Sequence, residues 1–527
     1  MSRNNAGQNR VTDVRDPIQV RLVKPPLRPP FTTRQAHQRS RSSRLIHELP
    51  PEILGDILLK SMEYGEIFGL KRHQELASVC RHWRDVVLQT PHFWSAITDN
   101  PRVGDPLANL ITKLRRFRNT LLTIEYMGER TDPELDFWDL VQPTRSRWEE
   151  ATLALHEESR GKVSVTLAEG LPNLKRLTLQ SEFFAEEVTL GPTPCLAELH
   201  LNRQVTLDTG PETTLAALRR LVIKAVSPSS AFIMNFLPTL AECPLLELLH
   251  LDSISSIIFD DTILFSAVDV SLPLLQILRI EAVAVPLVST LLQHLRADSL
   301  GQLRVHSHTD GDNIAVLRAL IRPRAEKGLI LPVLNNRRTS SEIFLSLGEE
   351  WIRLEDGTGR LFLDLELDAH GRNDMSNLES LLRPVFRDCA SATRRVAITV
   401  RLYHLVSLEG LHIICEGAPM VTNIHCYDRG KQGRMFRCVL RLSTGQTACQ
   451  TCTSAEFIAF PRLGELKLYI PHISSLLLNY YREVQLAYLY RHSTLVAASR
   501  WARPLENPPG LKIYINDTFI LPDPADL

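Results

Sequence analysis

Residues 174–179 read LKRLTL, and the same L-x-x-L-x-L spacing returns as LAELHL at 196–201, LRRLVI at 218–223, LELLHL at 246–251, LQILRI at 275–280 and LGQLRV at 300–305. The first leucines of successive copies stand 22, 22, 28, 29 and 25 residues apart. Each L-x-L core reads as a short strand with its leucines on one face. A return every roughly 20 to 29 residues is the spacing of repeats in which a strand is followed by a helix or an irregular segment. The spacing therefore predicts parallel strands that bury Leu177, Leu199, Leu221, Leu249, Leu278 and Leu303 in one core. WEEATLAL at 148–155 reads as an earlier copy, and LEGLHI at 408–413 and LGELKL at 463–468 as later ones. Between them the period is lost, although RLFLDLEL from Arg360 and RRVAITV from Arg394 keep a strand pattern.

Upstream the period changes from two to helical. In LPPEILGDILL, from Leu49, the prolines suit a first helical turn, Glu52 complements its dipole, and Ile53, Leu54, Ile57 and Leu58 recur at helical spacing. QELASVCRHWRDVV, from Gln74, places Leu76, Val79, Cys80, Trp83 and Val87 on one apolar face of a single predicted helix. Thr90 and Pro91 end it, and Phe93, Trp94 and Ile97 follow as anchors. LANLITKLRRF, from Leu107, is a further amphipathic helix with Leu107, Leu110, Ile111, Leu114 and Phe117 on one side. The organisation predicted is a basic, proline-rich, disordered tail at 1–44, a helical module at 45–97, a helical bridge at 98–147 and the repeat body at 148–527.

Composition narrows the function classes. The chain has 527 residues, more than one core usually holds, and its 60 basic residues match its 60 acidic ones. No global field favours nucleic acid or a membrane surface as partner. The nine cysteines lack framework spacing and suit a reducing compartment, and no signal or membrane span is evident, so a cytoplasmic or nuclear location is expected.

Leu49, Pro50, Glu52, Ile53 and Ile57, followed by Leu76, Val79, Cys80, Trp83 and the pair Phe93-Trp94, resemble the F-box pattern. The body is similar to the degenerate leucine-rich repeats of fungal F-box-like proteins. The resemblance implies an α/β architecture: an N-terminal F-box module followed by an irregular leucine-rich-repeat solenoid with a parallel sheet. It also implies a substrate-recognition adaptor of an SCF-type ubiquitin ligase, bound to a Skp1-type adaptor and through it to a cullin and RING core. Candidate adaptor-binding residues carried over position by position are Leu49, Pro50, Ile53, Leu54, Ile57, Leu76, Val79, Cys80 and Trp83. A repeat-based interaction scaffold that directs no ubiquitination is the alternative. Two departures stand out. The segment SMEYGEIFGLKRHQ between the motif halves is long, and the position three residues after each strand core holds Glu182, Gln204, Val226, Ile254, Val283 and His308 in place of a stacked asparagine.

No catalytic constellation appears. There is no P-loop, G-x-S-x-G elbow, dinucleotide glycine fingerprint or H-E-x-x-H helix, so an enzyme is not expected. Cys449 and Cys452 form one close pair, whereas zinc commonly uses two, and no cofactor or metal is expected there or elsewhere. The central L-x-L positions, Thr178, His200, Val222, His250, Arg279 and Arg304, should line the face opposite the leucines, with Gln180, Asn202, Lys224, Asp252, Glu281 and His306 beyond them. Of these, His200, His250, Arg279 and Arg304 are the candidate substrate contacts. The two histidines stand two strands apart, too far to share a metal ion, and the two arginines are close enough to grip one carboxylate or phosphate.

Overall fold

A computed structural model of the protein describes residues 49–63, 70–99, 107–116, 119–128, 136–157, 159–181, 186–203, 205–209, 215–226, 230–254, 268–307, 316, 342–347, 351–356, 358–366, 397–402, 421–427, 465–469, 512–515 and 518–519. The basic tail at 1–44, LEGLHI and the pair Cys449 and Cys452 lie outside these residues. The chain divides into two compact units, Met1–Thr90 and Pro91–Leu527. Phe93, Trp94 and Ile97 thus belong to the second unit.

The first unit holds helices α1 (Pro51–Glu63), α2 (Leu70–Val79) and α3 (Arg81–Gln89). Pro51 takes the first helical position, where its missing N–H costs nothing, and the Pro50 carbonyl accepts the Leu54 N–H at 3.0 Å. Leu54 and Leu58 of α1 and Val86 and Val87 of α3 form the unit's own core. Gly55 permits a close approach: a Cβ there would stand 3.2 Å from Thr90 Oγ1.

The single long helix expected from Gln74 to Val87 is instead two helices broken at Cys80. Cys80 is extended, with φ −161° and ψ 172°, and caps α3 by accepting the Trp83 N–H on its sulfur at 3.4 Å. The break turns the expected common face apart, leaving Val79 58% exposed while Val87 is fully buried.

The second unit is mixed α/β, built on one large, mostly parallel sheet. Its strands up to the sixth repeat are β1 (Ala96–Thr98), β2 (Leu122–Tyr126), β3 (Trp148–Leu155), β4 (Arg176–Ser181), β5 (Glu186–Leu190), β6 (Glu198–Asn202), β7 (Val205–Thr209), β8 (Arg220–Lys224), β9 (Leu248–Asp252), β10 (Val270–Ser271), β11 (Ile277–Glu281), β12 (Leu295–Arg296) and β13 (Gln302–Ser307). After these come β14 (Glu342–Leu347), β15 (Trp351–Asp356), β16 (Leu361–Glu366), β17 (Ala397–Leu402), β18 (Val421–Tyr427), β19 (Glu465–Tyr469), β20 (Lys512–Ile515) and β21 (Thr518–Phe519). Among the described residues, 17 of these strands join one sheet. The pairings run β1, β2, β3, β4, β6, β8, β9, β11, β13, β16, β15, β14, β17, β18, β19, β20, β21. The short strands β5 with β7 and β10 with β12 pair separately, and helices α4 (Leu107–Arg116), α5 (Phe137–Val141), α6 (Arg160–Ala168), α7 (Ser230–Ala241) and α8 (Val285–His294) fall between strands. The stretch 98–147, read as a helical bridge, also supplies β2, so the sheet begins before residue 148.

Three local devices repeat. Each L-x-x-L-x-L copy is preceded by a tight turn in which the first leucine donates to the carbonyl three residues back: Leu174 to Leu171, Leu196 to Thr193, Leu218 to Leu215, Leu246 to Cys243, Leu275 to Leu272 and Leu300 to Ala297. Pro172, Pro194, Pro244 and Pro273 fill the second turn position, where their fixed φ is already correct. Next come the strands, whose leucines at 177, 199, 221, 249, 278 and 303 all lie in one buried cluster, as their spacing predicts. Finally, Arg203, Ala225, Ser253 and Ala282 close four strands with the same left-handed backbone, φ 52°. Their N–H groups bond the next strand at 2.8 to 2.9 Å, and the following residues at three of these corners, Val226, Ile254 and Val283, are buried. A left-handed non-glycine residue costs about 1 to 2 kcal/mol, and burying a Val or Ile contributes about 1.5 to 3 kcal/mol, so the corner is balanced or favourable. Buried apolar side chains thus keep the register where a polar ladder is missing.

Among the described residues, parallel pairing gives way at two places, the terminal pair β20 and β21 and the stretch from β14 to β16. β13 pairs with β16, and β16, β15 and β14 run antiparallel before parallel pairing resumes at β17. For β15 and β16 the cause is the reversal that follows Asp356. The buried Asp356 carboxylate accepts the Arg360 N–H at 2.7 Å and the Leu361 N–H at 3.0 Å, and Gly359 supplies φ 71°. Such a turn reverses the chain onto its neighbour, whereas parallel strands need a long crossover.

Candidate functional site

Two surfaces carry the candidate residues. On the helical unit, α1 has two apolar edges. Leu54 and Leu58 point inward, 1% and 3% exposed, and Ile53 and Ile57, one helical turn apart, are each 49% exposed. Pro50 and Val79 are also exposed, whereas Leu49, Leu76, Cys80 and Trp83 are half-buried. The nine sequence candidates therefore separate by role. Leu54 is core, Cys80 is a helix cap, and Pro50, Ile53, Ile57 and Val79 are open to a partner.

On the large sheet, the side chains opposite the leucines form rows in strict register. Thr178, His200, Val222, His250, Arg279, Arg304 and Phe362 are successive neighbours, with Gln180, Asn202, Lys224, Asp252, Glu281, His306 and Asp364 beside them. The register keeps His200 and His250 two strands apart, with Val222 between them. Burial pushes both imidazoles below their ordinary range, and for His250 the neighbouring Lys224 adds to the effect, so both are neutral near pH 7.

Most charges on this face are matched. Arg304 Nε lies 3.3 Å from Glu281 and its guanidinium stands over the Phe362 ring at 5.1 Å. Arg353 meets Asp364 at 2.6 Å, Arg401 meets Glu355 at 3.1 Å, and Arg176 lies between Glu150 at 2.9 Å and Glu198 at 2.8 Å. Arg279 is different. It makes no hydrogen bond or ion pair with any described residue, and its Nε is buried.

His250, Asp252 and Glu281 bring one donor atom each to within 4.8 Å of one another. The surrounding charge opposes a divalent cation there. Lys224 stands in register with Asp252, Arg304 holds Glu281, and Arg279 lies between, so three cations surround two carboxylates. This convergence went unread in the sequence, although an H-x-D on one strand and a glutamate at the paired position of the next were there to find.

Two other polar groups among the described residues serve the fold. The buried Asp99 carboxylate accepts the Met127 and Gly128 N–H groups at 2.7 Å each, and burial pushes the Cys243 thiol up to about 12, which makes it inert. No protein-family model matches the chain, and no curated protein matches it.

Proposed function

We propose that the protein is a non-catalytic substrate receptor: its N-terminal helical unit is an F-box that docks a Skp1-type adaptor of an SCF-type ubiquitin ligase, and its sheet body, a degenerate leucine-rich-repeat array, captures the substrate. The observation that carries this reading is the second apolar edge of α1. Ile53 and Ile57 occupy the F-box positions and remain half-exposed although the same helix buries Leu54 and Leu58. A small helical unit with an uncovered i, i+4 isoleucine pair gains stability from a partner that covers it. Leu49 and Pro50 extend that edge at the helix start, and Val79 adds an exposed apolar group from α2.

The body supports the second half of the reading. The leucine side of the sheet is spent on the core, and the opposite side presents a half-buried polar surface across many strands, the form expected of a face that recognises another protein. Co-purification of the full chain with a Skp1-type adaptor, compared with a chain lacking residues 45–90, tests the assignment. Adaptor recovered only with the full chain supports it, and none recovered with either removes it. Proteasome-dependent loss of a bound partner distinguishes a ligase receptor from a scaffold.

A further inference from the structure

Arg279 stands apart from the other arginines within the strands of its face. Arg176, Arg220, Arg304, Arg353 and Arg401, on strands of that face, each have a carboxylate within ion-pair distance. Arg279 has none among the described residues, and its Nε is buried without an acceptor. Its in-register neighbour on β9, His250, likewise has a buried Nε2 with no partner. On the other side, Arg304 stands directly beside it on β13. Like charges opposite one another on adjacent strands repel, and a buried charged donor without an acceptor is a standing cost.

Nearby acids do not relieve it. Glu281 is held by Arg304 at 3.3 Å, and Asp252 accepts the Ser253 hydroxyl at 2.9 Å and faces Lys224 in register. Lys224, Arg279 and Arg304 against Asp252 and Glu281 leave one positive charge in excess. A guanidinium left without a counter-charge among strand arginines that have one is the arrangement expected where an external anion completes the pairing.

We infer that Arg279, with His250 and Arg304 beside it, is an anion-recognition site that receives an oxyanion side group, carboxylate or phosphate, from an acidic segment of the bound protein. The inference rests on reading this face as the substrate surface. A guanidinium offers paired N–H donors matched to either oxyanion, and one such group supplies the acceptor that the row lacks and offsets the excess charge.

The test uses the full-length chain, its Arg279→Gln and Arg279→Lys variants, and three fluorescent peptides of one length that carry glutamates, phosphoserines or glutamines. Anisotropy at low salt should show the wild type binding an acidic peptide at least about tenfold tighter than the glutamine peptide, the effect of a charge-assisted pair. Arg279→Gln should abolish that preference and Arg279→Lys should retain part of it. Tighter binding of the phosphoserine peptide identifies phosphate as the group, and equal or tighter binding of the glutamate peptide identifies a carboxylate. Melting gives a second readout. Without peptide at low salt, Arg279→Gln should melt no lower than wild type, because it removes a repulsive neighbour of Arg304. No preference for acidic peptides, or a variant that melts lower and leaves peptide binding unchanged, overturns the inference. Adaptor pull-down by the same variants should equal wild type, so failure here leaves the adaptor reading standing, and failure there does not decide this one.

Discussion

Replacing Ile53 and Ile57 together by alanine separates a docking surface from a core. Each isoleucine is 49% exposed, so a partner that completes its burial gains roughly half of the 1.5 to 3 kcal/mol that full burial contributes, about 1 kcal/mol per residue. Losing both should weaken adaptor binding by about 2 kcal/mol, roughly thirtyfold. The fold should suffer less. The buried halves are lost too, but alanine's higher helix propensity returns several tenths of a kcal/mol at each position, leaving a net cost of about 1 kcal/mol. Leu54→Ala is the internal control. At 1% exposure it removes core and should cost about 2 to 5 kcal/mol of stability. Titration calorimetry with purified Skp1-type adaptor and thermal melts by circular dichroism read the two effects separately. Wild-type affinity in the double variant would refute the docking edge, as would a melting loss equal to that of Leu54→Ala.

Further outcomes follow from the repeat body. Leu249→Ala, at a fully buried strand position, should lower stability by about 2 to 5 kcal/mol in a denaturant titration. Ala225→Gly and Ala282→Gly relieve a left-handed backbone at φ 52°, and each should raise stability by about 0.5 kcal/mol after glycine's entropy is counted, whereas Ala225→Val should lower it. His200 and His250 have folded pKa values below the ordinary 6.5, so the unfolded chain binds more protons and stability falls as pH drops through 6.5 towards the folded values. A His200→Gln, His250→Gln double variant should flatten that acid-side loss in melts from pH 7 to 5. Lys113, set over the Trp94 ring at 5.2 Å, is pushed by burial down to about 8, so its charge opposes folding below that pH and the opposition fades between about 8 and 10.5. The stability gained by Lys113→Met should therefore shrink over that range.

The repeat strands were legible because alternation and spacing are properties of single side chains in order. A leucine every second residue must lie on one face, and Leu177 to Leu303 do so in one cluster. The elements that escaped depend on backbone geometry carried by one or two residues. A helical pattern runs unbroken through Cys80, yet the extended Cys80 ends α2 and caps α3. RLFLDLEL shows its strand in the sequence as β16, but its antiparallel pairing with β15 rests on one buried carboxylate, Asp356, that fixes the reversal and leaves no periodic signal. The left-handed corners at Arg203, Ala225, Ser253 and Ala282 contain no glycine and left no mark in the sequence. For the site, the row His250, Arg279, Arg304 followed from period two, and the pairing of each charge did not. That Arg304 reaches Glu281 and Phe362 while Arg279 reaches nothing among the described residues depends on side-chain direction across three strands.

Binding of a Skp1-type adaptor through the outer edge of α1, as we propose, is open to a pull-down of purified adaptor by the full-length chain. A stable one-to-one complex should form and should weaken in the Leu49→Ala, Pro50→Ala and Ile53→Ala, Ile57→Ala double variants while the sheet body's melting transition stays in place. A folded wild-type chain that captures no adaptor would contradict the proposal.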